Sequence, residues 1–275
     1  MATAAETNGA EAAASDKRKT GKKELKILML HGFTQSGPLF SAKTKALSKL
    51  LTKYLPDLKP TLIFPSGPHR LRPSDIPGYA GPDEPSDDEL DNWAWFRRDD
   101  ATNEYRGLEA GMATVSSAIA EAGGIDGVIG FSQGGCMAAL VAAALEVSHQ
   151  HLHTPSSPSP PLPSDPSNWL PALRAANNHN PIEFAVIYSG FWAIPDNLQG
   201  LYTPPIHTPT MHFIGGLDTV VEESRSQKLI DRCWDPFVVT HPGGHYVPVA
   251  REWVERLVGW LRGQFPVEKN VKNSL

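Results

Sequence analysis

The stretch that most constrains this chain is Val128-Ile129-Gly130-Phe131-Ser132-Gln133-Gly134-Gly135-Cys136-Met137-Ala138-Ala139-Leu140. A short apolar run stops at a serine held between glycines, and a small-residue helical pattern begins directly after it. The order reads strand, sharp turn, helix, with Gly130-x-Ser132-x-Gly134 as a nucleophile-elbow pattern. A serine on so sharp a turn takes an unfavourable backbone conformation, and only residues without side chains stand beside it without clashing. A helix starting at Gln133 aims free amide hydrogens and its positive dipole end at any charge forming near the serine oxygen. The plainer alternative is a glycine-rich connection that binds a phosphate or simply turns.

At 275 residues the chain holds one large α/β domain or two small ones. A formal charge of −5 gives no nucleic-acid surface. Cys136 and Cys233 are the two cysteines, too few for a disulfide framework or a metal cluster, which suits a reducing compartment. Cys136, on the first turn of the helix, reads as a small buried hydrophobe. No run reaches the length of a membrane span, and the N-terminus lacks the apolar core of a signal peptide. The expected location is the cytoplasm. A basic cluster, Lys17-Arg18-Lys19 with Lys22 and Lys23, admits the nucleus as an alternative, although such runs are usually just solvated.

Taken in order, residues 1–23 lack apolar periodicity and are expected to form a disordered tail. Leu25–Leu30 reads as a buried strand, His31–Ser36 as the loop at its end, and Ser36 as the cap of a helix carrying Phe40, Leu47, Leu50, Leu51 and Tyr54. Thr61–Phe64 is a second strand. From His69 to about Arg106 the chain is long, polar and Pro-rich, with acidic residues at Asp83-Glu84 and Asp87-Asp88-Glu89 and an aromatic knot at Trp93-Ala94-Trp95-Phe96. Trp93 and Trp95 are candidates for a pocket wall against an acyl chain, or else they cover a sheet edge. A helix follows over 107–122, then the elbow strand and its helix to about Val147. Residues 149–180 read as a low-complexity surface insertion unable to order itself, with Trp169–Leu173 as a short helical turn inside it. Strands resume at Phe184–Gly190, Thr210–Gly216 and Phe237–His241, with helices over about 222–233 and 247–264 and a fraying tail from 266 to 275. Short apolar runs alternating with helices give an α/β fold, a mostly parallel sheet with helices on both faces. Reactive groups then collect beyond the carboxyl ends of the strands.

A serine hydroxyl needs a base to take its proton, and the base needs an acid to fix its tautomer. After Ser132 the chain offers Asp218, just past the fifth strand in Gly215-Gly216-Leu217-Asp218, and His245, just past the sixth in His241-Pro242-Gly243-Gly244-His245. Asp218 also fits a helix N-cap, with Asp196 and Glu222 as reserve acids. His241, the rival base, closes a strand and should point into packing. For the tetrahedral oxyanion the expected donors are the amide of Gln133 and that of Phe33, with Thr34 behind it. His31 reads as a loop brace. The histidines at 149, 151 and 153 would bind a metal only adventitiously, so no metal site is expected.

At these residues the chain resembles the FSH serine hydrolases, small α/β-hydrolases that include an ovarian-cancer-associated esterase and fungal polyketide-releasing thioesterases. Four segments carry the likeness: Ile27–Phe33, Gly130–Gly135, Phe213–Asp218 and His241–Pro248, the last with its Gly-Gly-His-x-Val-Pro ending. The Gly-Phe-Ser-Gln-Gly-Gly core is shared with acyl-protein thioesterases and carboxylesterases. The resemblance covers about Leu25 to Gln264. It implies an α/β-hydrolase without a large cap domain over residues 24–265, acting on carboxylic esters or thioesters through Ser132, Asp218 and His245 without a cofactor. It also implies a small-molecule substrate or an acyl group on a carrier domain, with fatty acyl or polyketide release as the narrower expectation. The alternatives from other classes are a non-catalytic acyl-binding protein on the same fold and a scaffold working through the Pro-rich insertion.

Overall fold

Six short apolar runs meet in the centre of the molecule as one sheet. The computed structural model describes residues 23–76, 91–146 and 166–265. In chain order these residues form β1 (Lys23–Leu30), α1 (Gly37–Lys43), α2 (Lys45–Tyr54), β2 (Leu58–Ile63) and the two-residue strands β3 (His69–Arg70), β4 (Trp93–Ala94), β5 (Arg97–Arg98) and β6 (Tyr105–Arg106). Then come α3 (Leu108–Glu121), β7 (Gly127–Phe131), α4 (Gln133–Leu145), α5 (Leu170–Ala176), β8 (Phe184–Tyr188), β9 (Thr210–Gly215), α6 (Glu223–Ile230), β10 (Phe237–His241) and α7 (Arg251–Gln264). The large sheet runs β10-β9-β8-β7-β1-β2, every neighbouring pair parallel.

The central strands read as continuous apolar runs because both faces are covered, whereas the edge strands β2 and β10 are partly exposed. Successive side chains leave a strand on opposite faces, so each run feeds two cores. Leu28, Leu30, Val128, Ala185 and Ile187 pack on one side with α3, α4 and α5. Ile27, Met29, Ile129, Val186 and Tyr188 pack on the other with α2 and α7. Every residue of α4 is buried, which explains an Ala- and Gly-rich helix with no polar face.

The helix expected after Ser36 is divided at Thr44, and Ser36 caps its first part, accepting a hydrogen bond from the Leu39 amide at 3.2 Å. In the long segment before α3, β3 pairs with β4 and β5 with β6, both antiparallel. The N-terminal tail, the acidic run at 83–89, the Pro/Ser stretch at 154–161, the histidines at 149, 151 and 153 and the tail from 266 lie outside the described residues.

One expectation is corrected. The reading of 149–180 as unable to order itself fails for its second half. Trp169, Leu170 and Leu173 are buried in the core beside α3 and α4. The Arg174 Nε donates to the Ala144 carbonyl at 2.6 Å, and the Asn177 side chain accepts from the Ile125 amide at 2.8 Å. The composition of the whole stretch is polar, but the short helix within it has an apolar face that packs into the core. Leu173→Ala should therefore cost about 2–5 kcal/mol, the range for deleting a buried leucine, in urea denaturation followed by tryptophan fluorescence. A mere surface insertion would lose less than about 0.5 kcal/mol.

Candidate active site

Ser132 lies between β7 and α4 with φ 55° and ψ −116°, a conformation that costs an ordinary residue about 1–3 kcal/mol. Its neighbours show how the turn is enforced. A Cβ on Gly130 would sit 2.0 Å from the Gly134 carbonyl oxygen, and one on Gly134 would sit 2.1 Å from that of Leu30. The Ser132 amide donates to the Tyr188 carbonyl at 2.8 Å, tying the turn to β8. The hydroxyl is thereby held at the carboxyl edge of the sheet, at the amino end of α4.

Two further loops meet it there. The loop after β9 is stitched to the loop after β10 by Gly216 N–H to the His241 carbonyl at 2.8 Å and Leu217 N–H to the Gly243 carbonyl at 3.0 Å. This brings together two of the expected residues: His245 Nδ1 lies 2.8 Å from Asp218 Oδ2. His245 Nε2 lies 3.0 Å from Ser132 Oγ, across 113 residues of sequence. Asp218 Oδ1 accepts from the Val220 and Val221 amides, both at 2.9 Å, so the N-cap-like role and the bond to histidine coexist on one carboxylate. Burial pushes the Asp218 carboxyl up, but the His245 hydrogen bond and the Val221 amide outweigh it and hold the acid below its ordinary range.

The rivals are placed elsewhere. His241 is buried between Tyr246 and Trp253, its Nδ1 accepting from the Gly243 amide at 3.2 Å. Asp196 opens a 3-10 turn, and Glu222 is exposed before α6, its carbonyl accepting from the Arg225 amide. Burial pushes the Cys136 thiol far up, which keeps it protonated and unreactive. Among the described residues no three His, Cys, Asp or Glu side chains are grouped to hold a metal ion.

Of the amides near Ser132, that of Gln133 opens α4 and has no carbonyl behind it within the helix. The Thr34 amide is already used, donating to the Trp93 carbonyl at 3.0 Å, whereas Phe33 borders the same cleft as Ser132 and Gln133. His31 is the brace of this loop. Its Nε2 accepts from the Gly67 amide at 2.9 Å while Nδ1 faces the Gly32 carbonyl at 2.8 Å. Burial lowers its pKa to about 4, against the Gly32 hydrogen bond, so it stays a neutral imidazole with one accepting nitrogen.

The cleft at Ser132 has a volume of about 530 Å³. Its walls correct the aromatic expectation. Trp95 is fully buried, donating from Nε1 to the His31 carbonyl at 2.9 Å, and neither it nor Trp93 borders the cleft. The knot instead holds the Phe33 loop from behind, and the chain bends at Trp95, so that Phe96, itself nearly buried, turns to the cleft side. Phe96 stacks on Tyr105 at 4.0 Å between ring centroids, and both line the cleft with Phe191, Val220 and Val221. The Gln133 side chain fixes this segment, accepting from the Trp95 amide at 2.8 Å and donating to the Phe96 carbonyl at 2.9 Å. Nothing in the periodicity of the sequence marked Phe191, Tyr105 or the Gln133 side chain. A bulky pair flanking a polar turn, Phe96 and Tyr105, was the one available hint.

A family model described as serine hydrolase (FSH1) matches residues 20–257. The chain belongs to the FSH1 serine hydrolase family. Among its relatives, a protein of Saccharomyces cerevisiae called family of serine hydrolases 2 is 30% identical over 86% of this chain and 97% of its own length. Esterase OVCA2 of Xenopus tropicalis is 30% identical over 83% of this chain and 88% of its own. A Schizosaccharomyces pombe protein named dihydrofolate reductase is 32% identical over 82% of this chain, which spans only 44% of that longer protein. Acyl-protein thioesterase 2 of Zea mays superposes with a TM-score of 0.52 at 20% identity, over 90% of this chain and 96% of its own, a likeness of fold. The FSH1 member described here thus has the α/β-hydrolase architecture. Among the described residues no helix is long and apolar enough to cross a membrane.

Two measurements test the site's construction. Gly134→Ala should cost at least about 2 kcal/mol, since its Cβ meets rigid main chain, and should lower labelling of Ser132 by an active-site probe. Stability should also fall with acid. Burial holds His212, at about 3, and His31, at about 4, well below the ordinary 6.5. Between those values and 6.5 the unfolded chain binds more protons than the folded one. Each group then removes about 1.4 kcal/mol per pH unit as pH drops from about 6.5 towards 4. Urea titrations across that range read the slope, to which buried His241 adds in the same direction, and His212→Leu should make it measurably shallower.

Proposed function

We propose that this FSH1-family protein hydrolyses carboxylic esters or acyl thioesters by a two-step acyl-enzyme route, with residues 24–265 acting as one catalytic unit. The observation that carries the reading is the unbroken relay of 3.0 Å from Ser132 Oγ to His245 Nε2 and 2.8 Å from His245 Nδ1 to Asp218 Oδ2. Asp218 accepts from Nδ1–H, which leaves Nε2 as the bare nitrogen facing the hydroxyl. Ser132 Oγ attacks the acyl carbon as its proton passes to Nε2. The Gln133 and Phe33 amides receive the oxyanion, whose charge the amino end of α4 also favours. The tetrahedral adduct collapses, His245 returns the proton to the departing alcohol or thiol, and water repeats the sequence on the acyl-enzyme.

The names of the esterase relatives support this class, and a cleft walled by aromatic rings supports an acyl group larger than acetyl. No cofactor enters the route. Its narrower form is release of a fatty acyl or polyketide group from a carrier domain, supported by the family likeness and tested by comparing carrier-bound with free thioesters. Two free, buried thiols suit a reducing, cytoplasmic setting.

A fluorophosphonate probe should label the wild type and not Ser132→Ala. His245→Ala and Asp218→Asn should each lower kcat on p-nitrophenyl esters by about a thousandfold or more with the fold intact by circular dichroism. Absence of labelling at every pH from about 6 to 9, where an imidazole base is largely neutral, would leave a binding protein as the better account.

A further inference from the structure

The cleft that opens on Ser132 carries more charge than an acyl pocket needs. Three guanidinium groups, of Arg97, Arg98 and Arg225, border it together with two carboxylates, of Asp75 and Asp100. Each carboxylate has an arginine partner, held closely for Asp75 and loosely, in solvent, for Asp100. Arg97 holds Asp75 through two parallel hydrogen bonds, Nη1 to Oδ1 and Nη2 to Oδ2, both at 2.9 Å. Arg98 reaches Asp100 at 3.8 Å and donates to the Asn103 side chain at 2.7 Å. One guanidinium is left over. Arg225, in the first turn of α6, lies with its guanidinium carbon 4.6 Å from the centre of the Phe191 ring, and among the described residues no carboxylate stands at ion-pair distance from it. It is only partly exposed, in a chain whose net charge is −5.

A guanidinium held over an aromatic ring still offers its planar edge of N–H donors to another partner. That edge matches a carboxylate or a phosphate, which it binds through two parallel hydrogen bonds. The position of the ring matters as well. Phe191 follows Gly190, whose carbonyl accepts from the Ser226 hydroxyl at 2.7 Å, so the residue after Arg225 is pinned to the loop that carries the ring. Arg225 is therefore held at the wall of the same cleft as the nucleophile.

We propose that Arg225 is a specificity residue that recognises an anionic group on the substrate, a carboxylate or phosphate carried a few bonds from the scissile carbonyl. This rests on the hydrolytic reading above and narrows its substrate class. The anion has two possible origins, the far end of the acyl chain or the leaving group, and paired esters separate them. For the acyl side, p-nitrophenyl hydrogen adipate is compared with p-nitrophenyl hexanoate, of the same chain length without the charge. For the leaving group, hexanoyl-coenzyme A is compared with hexanoyl-N-acetylcysteamine.

The wild type should prefer the charged member of at least one pair by kcat/KM, and the preference should weaken as salt is raised. Arg225→Gln should lower the charged-to-neutral ratio for that pair by about 10- to 100-fold, as expected for losing a hydrogen-bonded ion contact. Arg225→Lys should keep part of it, since the charge remains and the fork does not. Thermal unfolding by circular dichroism checks that each variant is folded. Ratios unchanged in both pairs would overturn the assignment and leave Arg225 as a cover for Phe191, while the enzyme remained a hydrolase. Turnover of neither member of either pair would bring down the hydrolytic reading and this assignment with it.

Discussion

Ser132 stays at a positive φ because the main chain of its neighbours occupies the space where side chains would be. The carbonyls of Gly134 and Leu30 come so close to the Cα atoms of Gly130 and Gly134 that any Cβ would collide with rigid backbone. The close approach of α4 to β1 and β7 and the strained turn are one arrangement seen from two sides. Strain of about 1–3 kcal/mol is sustained by a helix buried over its whole length and by the hydrogen bond from Ser132 to Tyr188. A looser helix would let the serine relax into an ordinary turn and withdraw its hydroxyl from the edge of the sheet.

The parallel sheet supplies the rest of the relay without bringing distant sequence together in any other way. β9 and β10 are neighbours in the sheet and in sequence, and their following loops leave from the same edge. Two main-chain hydrogen bonds bind those loops to each other, so Asp218 and His245 are set by backbone and only finely adjusted by side chains. A carboxylate that also accepts two amides is fixed in rotation, which in turn orients the imidazole.

The segment before α3 has a double role. From behind, Trp95 and Trp93 brace the His31–Gln35 loop through the His31 and Trp93 carbonyls and the Thr34 amide. In front, Phe96, Arg97 and Arg98 face the cleft. The Gln133 side chain links the two by gripping the chain at Trp95 and Phe96, coupling the residue that opens α4 to the wall beside it. Substitutions in this segment thus act on both the His31–Gln35 loop and the shape of the cleft.

The sequence by itself determined the alternation of strands and helices, the elbow, and the identity of Ser132, Asp218 and His245 as the residues to watch. Each follows from a local rule: apolar runs need two covered faces, a tight turn needs glycine, and a parallel sheet puts its loops at one edge. Only tertiary structure decided which amide the Trp93 carbonyl uses up, which aromatic faces the cleft, and that Trp169–Leu173 belongs to the core. Those outcomes depend on which side of a loop or helix meets which neighbour. A one-residue change of direction exchanges Trp95 for Phe96, and no property of either residue alone fixes that choice.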